Sequence, residues 1–107
     1  MRKFTLEGKE YQLEVNGKFM KDYQTKFGGN LIVDIHEATS KLDMLKMAQL
    51  FYIGANIEVS FDEWLKSFGD PFFMLPLMAD LTIFFLNSIK PTVLGEMSKT
   101  VKKKNNL

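Results

Sequence analysis

The sequence predicts an α+β domain, mainly α: an N-terminal β-hairpin packed on a bundle of four to five helices. Three observations carry that expectation. Residues 3–14 alternate apolar and polar about one glycine-bearing turn, which is the period of strands. From Phe19 to Ile89 the apolar residues recur at three- and four-residue spacing, the period of helices. Helix punctuation divides that stretch, with Asn16, Asn30, Ser60 and Asp70 as candidate caps and Gly28-Gly29, Gly54 and Gly69 as stops.

In order along the chain, Lys3-Phe4-Thr5-Leu6-Glu7 and Glu10-Tyr11-Gln12-Leu13-Glu14 flank Gly8-Lys9. A two-residue turn with Gly first suits type II′. It sets Leu6 opposite Tyr11 and Phe4 opposite Leu13, so Phe4, Leu6, Tyr11 and Leu13 share one face. Lys3 then meets Glu14, and only Glu7 against Glu10 is a poor pair. A lone hairpin is marginal in water, so helices must cover that face. Phe19, Met20, Tyr23 and Phe27 predict a first helix, ended by Gly28-Gly29. Leu31-Ile32-Val33-Asp34-Ile35 reads as a third strand or a helix. Asn30 as a cap and the polar His36-Glu37 favour a short helix to about Thr39.

Ser40 opens a Ser-x-x-Asp pattern with Asp43. Beyond it, Leu42, Leu45, Ala48 and Tyr52 form one apolar stripe and Met44, Met47 and Phe51 another, which predicts a central helix ending at Gly54-Ala55-Asn56. Ser60 and Glu63 form a capping box, followed by Phe61, Trp64, Leu65 and Phe68 on one helical face. Asp70-Pro71 opens the last long helix, expected to run to about Lys90 with Pro76 kinking its first turns. Val93, Leu94 and Met97 suggest a further short helix. Residues 1–98 are read as one domain and 99–107 as a basic tail, since a chain of 107 residues fits a single core.

Composition narrows the function. With no cysteine and a single histidine, His36, thiolate metal sites, cysteine nucleophiles and two-histidine sites are excluded. The net charge of +1 argues against a dedicated nucleic-acid binder. That near-neutrality is a cancellation. Between Ile57 and Ile89 the one base, Lys66, stands against Glu58, Asp62, Glu63, Asp70 and Asp80, while Lys99, Lys102, Lys103 and Lys104 end the chain without an acid. The opening Met1–Glu7 lacks the apolar run of a signal peptide. The greasy stretch from Pro71 to Ile89 contains Asp80, and an aspartate at mid-membrane costs about 2.5–3.5 kcal/mol. No membrane partner and a cytoplasmic location are therefore expected.

No catalytic constellation emerges. On a helix, His36 and its neighbours Asp34 and Glu37 point in different directions. Asp62-Glu63 serve capping and the helix dipole. Gly28-Gly29 lacks the Gly-Lys-Ser/Thr that a phosphate loop requires. Trp64 reads as a core anchor, and the lysine tail as a solvated terminus. The expectation is a protein that is not an enzyme and carries no cofactor or metal.

The informative element is the last helix. Of the ten phenylalanines, Phe72, Phe73, Phe84 and Phe85 lie on it, and only Asp80 and Asn87, seven apart, mark a polar stripe. A hairpin and a few short helices offer limited cover for the rest. One side of this helix is therefore expected to meet another chain, for which Phe and Met are suited. The candidate protein-binding residues are Phe72, Phe73, Leu77, Asp80, Phe84 and Phe85.

The layout resembles the tail assembly chaperones of long-tailed bacteriophages and prophages, especially those of Gram-positive hosts. The resemblance is carried by the hairpin from Arg2 to Leu13, by Leu45-Lys46-Met47-Ala48-Gln49-Leu50-Phe51-Tyr52-Ile53-Gly54-Ala55-Asn56, and by Ser60-Phe61-Asp62-Glu63-Trp64-Leu65. It spans roughly residues 2–90 and consists of an order of elements, with no catalytic signature. It implies a small, mostly helical, self-associating chaperone in the host bacterial cytoplasm. Such a chaperone coats the tape-measure protein before the tail tube protein polymerises around it, which makes the tube protein a second candidate partner. Many members also exist as a frameshifted longer form. The Phe-rich last helix departs from the family's usual texture. Two other readings remain: a small bacterial adaptor or regulatory protein-binding domain, and a membrane-surface protein using the 72–89 helix.

Overall fold

Backbone preferences at a few positions set the frame of the molecule. The computed structural model describes residues 1–70 and 72–88. Strands β1 (Arg2–Leu6) and β2 (Lys9–Leu13) form an antiparallel hairpin. Helices α1 (Gly17–Phe27), α2 (Leu31–Ser40), α3 (Met44–Gly54) and α4 (Phe61–Lys66) follow, and α5 spans 75–88. The fold is α+β and mainly α: a hairpin followed, among the described residues, by five helices. Leu31–Ile35 is helix, not strand. The expected end of α5 at Lys90, the Pro71 start, the short helix around Val93–Met97 and the 99–107 tail lie outside the described residues.

The hairpin register differs from the expected one. Leu6 pairs with Lys9, Phe4 with Tyr11 and Arg2 with Leu13. The turn residues are Glu7 and Gly8, both with positive φ, at 49° and 80°. This places the glycine second in the turn, where a side chain is least welcome. Moving the turn by one residue shifts every pair by two, so the apolar face is kept. What changes is the charge pattern. Glu7 no longer opposes Glu10, Lys3 reaches Glu10 at 3.6 Å, and Lys9 and Arg2 lie over the rings of Tyr11 and Phe4.

The entries of α1 to α4 are each capped by a side chain. Asn16 Oδ1 accepts from Phe19 N, Asn30 Oδ1 from Ile32 N and Val33 N, and Ser60 Oγ from Glu63 N. The cap of α3 is Asp43, whose carboxylate accepts from Lys46 N at 3.1 Å. The Ser-x-x-Asp reading is corrected there: Ser40 is the last residue of α2, and its partner in the pattern is itself the cap. Gly28 closes α1 in the left-handed conformation. Gly29 is glycine for another reason: a Cβ there would lie 2.1 Å from Asp34 Oδ2.

The core gathers around α3. Met47, Leu50 and Phe51 are fully buried, under Leu13 of the hairpin, Tyr23 of α1 and Ile35 of α2. Leu42 and Leu45, expected on a covered stripe, are exposed. The end of α3 is bound to the hairpin, where Glu14 N donates to Gly54 O at 3.1 Å. Gly54 packs so closely that a Cβ would meet the Phe19 ring at 3.3 Å and Leu13 at 3.5 Å.

Aromatic rings attach α4. Trp64 stacks on Phe51 at 5.9 Å and donates its indole N–H to Tyr11 Oη at 3.3 Å, while Phe61 sits edge-on to Phe27 and Tyr52. Trp64 is thus the buried anchor its spacing suggested. The chain then enters α5 later than expected. Asp70 Oδ1 accepts from Phe72 N, but residues 72–74 form turns, with Leu75 N donating to Phe72 O. Pro76 has no N–H with which to close an α-helical bond to Phe72 O, so regular helix begins beside it.

Candidate protein-binding surface

Helix α5 and the turns at 72–74 that lead into it carry two apolar stripes, and the tertiary structure covers one of them. Met74, Met78, Leu81 and Phe85, spaced four, three and four, are buried in the core. Phe85 stacks on Phe19 of α1 at 5.8 Å, and Phe84 meets Phe4 of β1 edge-on at 5.6 Å. Phe72, Leu75, Ile83 and Leu86 face outward, with 54, 47, 54 and 43% of their surfaces exposed. Ala79, also exposed, bridges the gap, so the outward stripe is spaced three, four, four and three. From Leu75 onward, where regular helix begins, that spacing keeps a row of side chains on one helical face.

The six candidate residues divide accordingly. Phe72 and Asp80 are exposed. Phe73 and Leu77 are half-buried, with Phe73 stacked on Phe68 at 4.2 Å. Phe84 is half-buried against the hairpin. Phe85 is fully buried and is corrected from a docking residue to a core residue. Leu75, Ile83 and Leu86 were missed. Their spacing was legible in the sequence, but nothing local distinguishes their stripe from that of Met74, Met78, Leu81 and Phe85. Asp80 and Asn87 lie beside the outward stripe and give it a polar border.

A second feature went unread: a polar network holding α1, α2 and α3 together. The Tyr23 hydroxyl donates to Asp34 Oδ2 at 2.6 Å. Lys46 reaches Asp34 Oδ1 at 3.3 Å and Glu37 Oε2 at 3.4 Å. Asp34 is only 7% exposed, the one charged residue among the buried described residues. Burial, reinforced by the hydrogen bond to Asp34, pushes the Tyr23 hydroxyl far above the usual tyrosine range. The hydrogen bond to Asp34 holds the Lys46 ammonium above the usual lysine range. Both shifts hold the protons on Tyr23 and Lys46, and the hydrogen bonds brace α1, α2 and α3 against one another. His36 is exposed and outside it.

Among the described residues no group of three or more His, Cys, Asp or Glu is arranged to hold a metal ion. None of their helices is long and apolar enough to cross a membrane. Comparison with family models, curated proteins and solved structures returned no match.

Proposed function

We propose that this chain is a non-enzymatic binding protein that self-associates and holds a long apolar helical partner through the outward stripe of α5. In keeping with its resemblance, that role is the phage tail assembly chaperone's, with the tape-measure protein as client. The single observation that supports this reading is the row Leu75, Ile83 and Leu86, exposed on a helix whose other side is core, with exposed Phe72 in the turn that leads into it. From Leu75 to Leu86 the stripe is about 17 Å long at 1.5 Å per residue. With a width of about 10 Å it covers about 170 Å², far below the ~800 Å² per partner of a standard interface. Such contacts are individually weak, and strength then comes from many copies on one extended client. A chaperone that must be displaced later needs that kind of binding.

Co-expression with a tape-measure fragment tests the client, and light scattering at micromolar concentration tests self-association. The wild-type chain is expected to co-purify with the fragment and to scatter as an oligomer. The Ile83→Glu/Leu86→Glu variant is expected to fold, lose the fragment and scatter as a monomer. A folded variant that still holds the fragment would remove α5 as the docking element. A strictly monomeric wild-type chain that binds no hydrophobic dye would remove self-association.

A further inference from the structure

A cleft of about 660 Å³ opens between the hairpin tip, the α3–α4 connection and α4. Its walls are apolar and aromatic, with Tyr11, Ile57, Trp64 and Phe68 among them. Its rim carries carboxylates from three separate segments: Glu7 from the hairpin turn, Glu58 from the connection and Glu63 from α4. Lys9 is the one base lining it, and its ammonium lies over the Tyr11 ring. Within the described residues none of the three glutamates forms an ion pair. Like charges converging around a low-dielectric wall raise the local concentration of cations. Aromatic walls accept both an aliphatic side chain and the face of a guanidinium.

We propose that this cleft binds a lysine- or arginine-bearing peptide segment of a partner protein. An apolar side chain of that segment lies against the half-buried Ile57 and Phe68, above the buried Trp64, and its cations meet Glu7, Glu58 and Glu63. The site is separate from the outward stripe of α5 and does not depend on it.

Trp64 is the only tryptophan, so its emission reports directly on the cleft. The full-length chain is titrated at low salt with an acetylated, amidated Lys-Leu-Lys-Lys-Leu-Lys peptide. The expected result is a saturable emission shift, weakened about tenfold or more by Glu58→Gln/Glu63→Gln and by raising the salt. The peptide with every lysine replaced by glutamine is expected to give no shift. Glutamine at position 63 leaves the backbone cap on Ser60 intact, and an unchanged melting temperature shows that the double variant folds. An unaltered titration in the double variant overturns the proposal. So does loss of the shift in Ile83→Glu/Leu86→Glu, which would move the binding to α5. If only the Lys102→Gln/Lys103→Gln/Lys104→Gln chain binds the peptide, the chain's own lysines fill the cleft, and the partner assignment is overturned.

Discussion

Helices α3 and α5 read alike in sequence, each apolar on two sides, yet the fold covers α3 along most of its length, leaving Leu45 at its start exposed, and α5 on one side only. α3 lies between the hairpin, α1 and α2, and Met47, Leu50 and Phe51 lose all contact with water. α5 lies against the hairpin and α1 through Phe84 and Phe85, and nothing in the described fold covers Ile83 or Leu86. An apolar pattern therefore states a helix's demand for cover, and its place in the packing order decides whether the chain itself meets it. Where it does not, the remaining stripe is available to another chain.

The contrast can be broken experimentally, beginning where the effect is largest. Phe51→Ala should cost about 3–5 kcal/mol in denaturant unfolding, because this ring packs against Phe4, Tyr11 and Trp64 with no exposed edge to collapse from. Phe85→Ala should cost a similar amount, showing that the inner stripe of α5 is core in the same sense. A loss under about 1 kcal/mol there would place α5 outside the cooperative unit.

Gly29→Ala comes next, at about 1–3 kcal/mol, since the added methyl displaces the Asp34 carboxylate from its place beside Tyr23. Tyr23→Phe should cost a similar or smaller amount, about 1–3 kcal/mol, by leaving one buried carboxylate oxygen without its donor. Both Tyr23 and Lys46 hold their protons more tightly when folded. Their contribution is therefore full at neutral pH and falls as the pH rises from about 10 upward, where the unfolded chain begins to release those protons. Urea midpoints measured across alkaline pH should show that decline, and it should be shallower in Tyr23→Phe.

The smallest stability effect belongs to the outward stripe. Ile83→Glu/Leu86→Glu should move unfolding by no more than about 0.5 kcal/mol per site while abolishing self-association. A large loss of stability in the monomer would mean that this stripe is covered by the chain after all.

Much of the frame was legible because its causes are local. Asn16, Asn30 and Ser60 cap the helices that follow them through bonds spanning two or three residues. Gly28 stops α1 by its own backbone freedom. The hairpin was legible as a face but not as a register. The two candidate turns keep the same residues on the same side, and they differ only in charge pairing and in which residue takes positive φ. Pro76 delayed α5 because hydrogen bonds in its first turn, not propensity over the segment, set where regular helix begins.

The candidate site divides in the same way. Its helix was legible, and so were Phe72 and Asp80 as exposed positions. Phe85 was misplaced because periodicity reports that a stripe exists and not which way it points. Asp34 and the cleft rim escaped notice for a related reason. Asp34 meets Tyr23 and Lys46 from other helices, and Glu7, Glu58 and Glu63 are brought together only by folding.

By itself the sequence determined the order of elements, the caps at Asn16, Asn30 and Ser60, the stop at Gly28, and the excess of apolar surface on the last helix, since each rests on backbone geometry and spacing within a few residues. The tertiary structure decided the hairpin register, the inward stripe of α5, the buried brace and the acidic cleft. Each of these depends on which distant segments shed water against one another, and that is a property of the packed whole.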